Sequence, residues 1–202
     1  KTVPLPSSRL INRQGKKTNK KSNDILWITT ADSRYNYFVG HIVFGNRFLQ
    51  YFKHQQDFYS RIETKTQKKI KIRLYPNDFG WKLKDRWTTS FRDIKFSNPN
   101  NSFIQESLNS RLVIIDHLGG TTFLELLSLN IPVIIVANSN FFVHRKEACL
   151  FYKSLKDVGV FFTSNEEAAM QIPIITNDIE KWMLNKERKK AIDNFKNKFA
   201  LT

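Results

Sequence analysis

Short apolar runs along this chain alternate with longer segments in which apolar residues recur every three or four positions. Such runs predict buried strands, and the wider spacing predicts amphipathic helices. The predicted strands lie at 24–30, 70–74, 111–115, 131–136 and 158–162. The predicted helices lie at about 39–61, after Ser102, after the glycine pair 119–120, after Ser164, and at about 178–199. This alternation predicts an α/β fold with a mainly parallel sheet covered by helices on both faces.

The segment 111–136 combines a strand, a glycine turn, a helix and a second strand. Gly119 and Gly120 allow a sharp turn and the close approach of a ligand to the backbone. The following helix begins at Thr121, and its first N–H groups lack partners within the helix, so the turn suits a phosphate or diphosphate. Glu125 lies one turn further on the same face, where a carboxylate can accept both hydroxyls of a ribose. An ordinary strand-turn-helix unit is the alternative, because the full G-x-G-x-x-G pattern is absent.

Three polar segments follow predicted strands, at 29–37, 75–81 and 116–122. In a parallel sheet, ligands bind at the edge where the carboxyl ends of strands meet the amino ends of helices. Arg34 in the first segment either binds phosphate or is simply solvated. Asp78 in the second segment either lines the cleft or braces its own turn.

Several other residues are predicted to pack in the hydrophobic core rather than to bind a ligand. We expect Trp81 and Trp87 to be packing anchors, and Cys149, the one cysteine, to be a buried core residue. Metal-ligand spacing is absent among His41, His54 and His144, and there is no Asp-x-Asp pair. The sequence therefore predicts neither a bound metal nor a cofactor.

The 202 residues carry a net charge of +15, and residues 1–23 hold seven Lys or Arg side chains and no acid. We predict that 1–23 is a basic linker or mobile arm ahead of a single domain at 24–202. Such a charge attracts polyanions, including anionic lipid headgroups, nucleic acid and phosphorylated substrates. No apolar run approaches the roughly 20 residues that span a bilayer. Because the chain opens on Lys1 in polar sequence, we expect it to be the later part of a longer protein.

Five motifs occur in order between about residues 25 and 200: Arg73-Leu-Tyr-Pro-Asn-Asp-Phe-Gly-Trp81, Lys84-Asp-Arg-Trp87, Thr121-Thr-Phe-Leu-Glu-Leu-Leu-Ser-Leu-Asn-Ile-Pro132, Ala148 to Tyr152, and Ser164-Asn-Glu-Glu-Ala-Ala169. This succession resembles the C-terminal part of LIC12162-type transferases of surface-polysaccharide biosynthesis, which are related to GT-B glycosyltransferases and to CDP-glycerol glycerophosphotransferases. The resemblance implies the Rossmann-like donor-binding domain of a GT-B fold. Such a domain holds a nucleotide-activated sugar against a second half that carries the acceptor.

The resemblance also implies roles for particular residues. The glycine-threonine turn would hold the donor diphosphate, Glu125 the ribose, and Arg73, Tyr75 and Asp78 would line the cleft. The stretch Asp116-His117-Leu-Gly-Gly departs from the small polar residues that relatives carry before the threonines. The substrate-binding candidates are Arg34, Arg73, Tyr75, Asp78, His117, Gly119, Gly120, Thr121, Thr122 and Glu125. No catalytic residue is assigned, since the general base is expected on the other half.

These features predict the donor-binding half of a cytoplasmic GT-B-like glycosyltransferase, with peripheral association at the inner face of the membrane as a further expectation. Its partners would be a nucleotide-activated sugar donor and a glycan or lipid-linked acceptor. Transfer of polyol phosphate from a CDP-activated donor stays open, because it needs the same cleft. A noncatalytic nucleic-acid-binding module is a third reading. Residues 1–21 contain no aromatic side chain for base stacking, so we expect no nucleic acid partner.

Overall fold

The computed structural model describes residues 22–35, 45–118, 121–138 and 145–200. Its described strands form one sheet in which all neighbouring pairs are parallel. The strands are β1 Ile25–Ile28, β2 Ile70–Arg73, β3 Lys95–Phe96, β4 Leu112–Ile115, β5 Val133–Val136 and β6 Phe161–Phe162. Their order across the sheet is β3-β2-β1-β4-β5-β6, the order of a Rossmann-like fold. The predicted α/β class with a parallel sheet is therefore confirmed.

Helices connect the strands and cover both faces of the sheet. They are α1 Gly45–Arg61, α2 Thr64–Gln67, α3 Leu83–Ser90, α4 Phe103–Asn109, α5 Thr122–Ser128, α6 Cys149–Asp157, α7 Asn165–Asn177, α8 Ile179–Leu184 and α9 Lys186–Phe199, with a short 3-10 helix at Lys146–Ala148. The two predicted serine caps are confirmed. Ser102 Oγ accepts a hydrogen bond from Gln105 N at the start of α4, and Ser164 Oγ accepts one from Glu167 N at the start of α7.

Two hydrophobic cores lie on opposite faces of the sheet. Alternate residues of a strand point to opposite faces, so Ile25 and Trp27 of β1 enter one core and Leu26 and Ile28 enter the other. The first core is completed by α1, α3, α7 and α8, and the second by α4, α5, α6 and α9. Every residue of β1, β4 and β5 is buried. Coverage on both faces explains why these strands are continuous apolar runs.

Trp87 lies at the centre of the first core. It is 0% exposed, and its ring centroid lies within 6 Å of the rings of Trp27, Phe52, Tyr59 and Phe91. Trp81 is 4% exposed and stacks on Phe48 with a centroid distance of 4.3 Å. Both tryptophans are therefore packing anchors, as predicted.

Several predicted boundaries differ from the structure. The strand predicted at 158–162 is limited to Phe161–Phe162, and β3 was not predicted. The single helix predicted at 178–199 is wrong, because the chain breaks at Asn185 into α8 and α9. Asn185 has extended backbone angles, and its side chain accepts a hydrogen bond from Arg188 N at 2.9 Å. An N-cap of this kind begins a new helix rather than continuing the previous one.

The prediction that Cys149 is buried is also wrong, because the side chain is exposed. Cys149 is the first residue of α6, and the inward face of that helix is formed by Phe151, Tyr152 and Leu155. Cys149 does not fall on this face. Leu150 beside it is 73% exposed.

Two other predictions fall on segments that the structure does not describe. Residues 1–21 of the predicted arm and the predicted start of the first helix at about residue 39 lie outside the described ranges. Ser22, the first described residue, donates its backbone N–H to Asn109 O at 2.8 Å. This bond holds Ser22 against the end of α4, and the predicted division into an arm at 1–23 and a domain at 24–202 stays a prediction.

Candidate functional site

The order of the strands reverses between β1 and β4. The chain runs outward from β1 through β2 to β3 and then returns to the other side of β1. In open parallel sheets, ligands bind in the crevice at such a reversal, outside the carboxyl ends of the strands. Ile28 and Ile115 end the two strands in register with each other. The crevice is thus bordered by the loop that begins at Thr29 and the loop that begins at Asp116.

Asp116 is the centre of a buried hydrogen-bond network at this position. Its Oδ2 accepts hydrogen bonds from Trp27 Nε1 at 2.9 Å and from Gln55 Nε2 at 2.6 Å. Its Oδ1 accepts one from the Tyr51 hydroxyl at 2.6 Å. Because the Asp116 side chain is only 3% exposed, these donors replace the water that an isolated carboxylate would need. We call Asp116, Trp27, Tyr51 and Gln55 the Asp116 network.

The Asp116 network reaches the other border of the crevice through Tyr51. The backbone N–H of Thr30, in the loop after β1, donates to the Tyr51 hydroxyl at 3.3 Å. Burial, followed by the negative charge of Asp116, raises the pKa of Tyr51 well above its usual value of 10.0. The phenol therefore keeps its proton and donates a hydrogen bond to Asp116. One hydroxyl links the loop after β1 to the loop after β4.

We expect the raised pKa of Tyr51 to appear in the alkaline stability of the protein. The native state holds this proton more tightly than the unfolded state. The stabilisation is therefore complete below about pH 10 and is lost as the pH rises toward the native pKa, by up to about 1.4 kcal/mol per pH unit. Urea unfolding between pH 8 and 11 should show wild type losing stability faster than Tyr51→Phe. Tyr35→Phe, which removes a phenol that is 78% exposed, is the control. Parallel curves for wild type and Tyr51→Phe would contradict the expectation.

His117 follows Asp116 and contacts the same carboxylate. Its Nδ1 lies 3.3 Å from Asp116 Oδ1, and its side chain is 9% exposed. No described residue forms a hydrogen bond with Nε2 of this imidazole. The network therefore holds one nitrogen of the ring and leaves the other for a ligand.

The predicted phosphate turn lies next along the chain. Gly119 and Gly120 fall outside the described residues, whereas Thr121 is exposed at the N-cap position of α5 and Thr122 is the first residue of that helix. Thr121 Oγ1 donates to Glu125 Oε1 at 2.9 Å. The predicted pairing of these positions on one face of a helix is confirmed. Glu125 is only 3% exposed, so its role toward a ribose stays a prediction.

We expect Glu125→Ala to weaken nucleotide binding by about 1.5–3 kcal/mol, the value of hydrogen bonds to a charged group, while the fold stays intact. Isothermal titration calorimetry measures the affinity, and circular dichroism checks the fold. Thr121→Val is the matched comparison, because it removes the bond to Glu125 but keeps the carboxylate. Unchanged affinity in Glu125→Ala would remove this residue from the site.

Arg34 connects the loops that follow β1 and β2. Its guanidinium lies 5.5 Å from the ring centroid of Tyr35 and 5.7 Å from that of Trp81, and Nη1 donates to Gly80 O at 3.4 Å. Trp81 Nε1 donates to Asp32 O at 2.7 Å. Arg34 is exposed, lies in the loop after β1, and has no ion-pair partner among the described residues.

Asp78 braces the loop after β2. Its Oδ2 accepts from Lys82 N at 2.7 Å and its Oδ1 from Leu83 N at 2.8 Å, at the start of α3. The loop needs this support because Phe79 and Lys82 both have a φ of 53°, which is unfavourable for residues other than glycine. Tyr75 is 45% exposed and stacks on Phe79. Ligand binding by Tyr75 and Asp78 stays a prediction.

Arg73 ends β2 on the face covered by α4, and its side chain is already paired. It forms an ion pair with Glu106 at 2.6 Å and donates to Ser97 Oγ at 3.1 Å and to Asn101 O at 2.9 Å. The Arg73 and Glu106 side chains are 12% and 14% exposed. Arg73 therefore holds the loop between β3 and α4 in place, and its charge is neutralised locally. Any additional contact with substrate stays a prediction.

The Asp116 network was not predicted from the sequence. Trp27, Tyr51 and Gln55 carry no local signal, because each resembles an ordinary core or helix residue and Trp27 is 89 residues from Asp116. Asp116 itself has one signal: it is the first polar residue after a buried strand at the ligand-binding edge.

A comparison with family models finds one described as LIC12162 family transferase, which matches residues 1–202. This chain belongs to that family. Membership in the LIC12162 family confirms the family part of the resemblance and the prediction of a transferase. Comparison with curated proteins gave no match.

Two further observations concern the described part of this LIC12162 family chain. No group of three His, Cys, Asp or Glu side chains within it is arranged to hold a metal ion. None of its helices combines the length and apolar character required to cross a membrane.

Proposed function

We propose that this chain is the donor-binding half of a GT-B-like glycosyltransferase that acts in the cytoplasm in cell-surface polysaccharide biosynthesis. The observation that carries the proposal is the reversal of strand order between β1 and β4, because Rossmann-like sheets bind nucleotides at this position. Membership in a transferase family adds that a group is transferred. A nucleotide-activated sugar meets both conditions.

The proposed reaction is attack by an acceptor hydroxyl on the sugar, with release of a nucleoside diphosphate or monophosphate. Negative charge develops on the leaving phosphate, and preorganised N–H groups and cations stabilise it. In this proposal, the turn at 119–122 supplies the N–H groups. Arg34 supplies the positive charge, because its guanidinium is exposed whereas that of Arg73 is paired with Glu106. The acceptor is a glycan or a lipid-linked glycan.

A thermal-shift screen against UDP, CDP, GDP, CMP and their sugar or polyol conjugates tests the proposal. A ligand that binds only the native state stabilises it by about 2.7 kcal/mol at a concentration of 100 Kd. We expect one nucleotide to raise Tm in wild type and to raise it much less in Gly120→Val, whose side chain would block a phosphate. Ser154→Val makes a comparable change on the exposed side of α6 and should respond like wild type.

The outcomes of this screen separate the competing functions. Stabilisation by no nucleotide contradicts the proposal, as does an equal shift in Gly120→Val. A response confined to CDP-linked polyols would indicate polyol phosphate transfer from the same cleft. Stabilisation by oligonucleotides alone would indicate a nucleic-acid-binding module instead.

The basic arm is expected to bind anionic membrane rather than the donor. Deleting residues 1–21 removes seven positive charges, each worth up to about 1 kcal/mol near an anionic surface. Sedimentation with phosphatidylglycerol vesicles should show weaker binding, and the nucleotide-induced Tm shift should not change. A variant that keeps residues 1–21 but has their seven Lys and Arg side chains changed to Gln separates the effect of charge from the effect of length. Equal vesicle binding by all three proteins would show that the arm has another role.

A further inference from the structure

Burying the carboxylate of Asp116 costs free energy of folding, so its position calls for a functional explanation. A carboxylate that is 3% exposed loses its hydration, and apolar residues of similar volume often stabilise a core equally well. The network lies where the two borders of the crevice meet, joining β1, α1 and the loop after β4. The remaining contact of Asp116 is with His117, whose side chain is 9% exposed.

The donors around Asp116 determine which nitrogen of His117 carries a proton. An indole N–H, an amide N–H and a phenol O–H already donate to the two carboxylate oxygens. A carboxylate can only accept, so the nearby Nδ1 of His117 must donate its own hydrogen to Oδ1. In the neutral ring, Nε2 then carries a lone pair. In this neutral tautomer, Nε2 of His117 is the proton acceptor of the ring.

A lone pair at Nε2 can accept a hydrogen bond only from a group that carries a hydrogen. The oxygens of an ionised phosphate are acceptors, so they cannot form a hydrogen bond with it. A hydroxyl can. His117 lies in the loop after β4 that borders the crevice at the reversal of strand order, where the proposed donor binds. The group that its lone pair can accept a proton from is therefore a hydroxyl next to the bond being broken.

We propose that His117 is the catalytic general base of the transfer reaction, on this half rather than on the other half, where it was expected from the sequence, and that Asp116 is its positioning residue. The inference rests on the proposed function. The acceptor oxygen forms a bond to the sugar carbon while its hydroxyl proton passes to Nε2. The bond between that carbon and the phosphate oxygen breaks, and its electron pair leaves with the nucleotide. Asp116 keeps the imidazole oriented and stabilises the imidazolium that forms.

The tautomer can be measured without substrate or turnover. The chain has 4 histidines, so ¹⁵N-histidine labelling gives few signals, and His117→Asn identifies the signal of His117 by its loss. Long-range ¹H–¹⁵N spectra of wild type should show the hydrogen on Nδ1. Asp116→Asn should shift the ring toward the Nε2–H form. A hydrogen on Nε2 in wild type, or no change in Asp116→Asn, overturns the positioning role of Asp116.

Turnover tests the proton transfer itself. Slow hydrolysis of the stabilising nucleotide conjugate, with water as the acceptor, can be followed by ³¹P spectroscopy of the full chain. His117→Asn keeps an N–H near the Nδ1 position and removes Nε2, so kcat should fall about 10²–10⁴-fold. KM and the nucleotide-induced Tm shift should stay close to wild type. Added imidazole should restore part of the turnover of His117→Ala. His54→Asn is the matched control on α1 and should keep full turnover.

The other possible outcomes of these experiments each contradict one part of the proposal. Unchanged kcat in His117→Asn overturns the base assignment. A raised KM with unchanged kcat assigns His117 to a donor hydroxyl and also overturns it. If no nucleotide stabilises wild type, the proposed function fails and the proton-transfer step fails with it. The tautomer measurement still decides whether Asp116 orients His117.

Discussion

Replacing Asp116 with alanine is expected to lower the free energy of unfolding by about 3–5 kcal/mol. The change leaves three buried donors without their acceptor, and each unsatisfied buried group costs about 1–3 kcal/mol. Partial entry of water into the space keeps the total below the sum. Since domains of this kind are stable by about 5–15 kcal/mol, the variant should unfold at a much lower urea concentration.

The matched control for Asp116→Ala is Asp157→Ala. Asp157 forms a surface ion pair with Lys153 in which the two side chains are 57% and 69% exposed, and such pairs contribute little. A double-mutant cycle with Tyr51→Phe isolates the contact at 2.6 Å, because the second change should cost less once its partner is gone. A loss of under about 1 kcal/mol in Asp116→Ala would show that the network has no stabilising role.

Trp87→Ala is expected to cost a similar amount, about 3–5 kcal/mol, for a different reason. The indole is 0% exposed and is surrounded by four aromatic rings, so its removal leaves a cavity that rigid rings cannot fill. Trp87→Phe keeps most of the aromatic contact and should lose less than half as much. Chemical denaturation of the three proteins gives these values.

Nucleotide binding provides a second measurement on the same proteins. A fully buried side chain cannot contact a ligand, so the nucleotide-induced Tm shift of Trp87→Phe should equal that of wild type. A variant with wild-type stability but no shift would mean that Trp87 stacks on a base. That result would contradict the role of packing anchor.

The sequence predicted the sheet well because its strands are buried on both faces. Continuous runs such as Val133–Val136 have no other plausible environment in a chain of this size. It did not predict β3, because Lys95–Phe96 is too short to show a pattern. The break at Asn185 was missed because the polar stretch 185–190 between two amphipathic segments was included in one helix, and the cap interaction marks the break.

The candidate site was predicted unevenly, for a related reason. Local patterns located the loops that border the crevice, since each follows a strand. Local patterns could not show that Arg73 is paired with Glu106, or that Asp116 binds side chains from β1 and α1. These contacts join residues far apart in sequence, so only tertiary structure brings them together.

The position of β1 at the centre of the sheet affects how the chain reaches its native state. β1 is made before the other described strands of the sheet but pairs with β4, which emerges from the ribosome much later. Parallel pairings between distant segments form slowly. Among the described helices α9 is made last, and its Phe195 packs in the second core, so this face of β4 and β5 is not fully covered until α9 has emerged. Nascent chains should therefore bind holdase chaperones until α9 has been released.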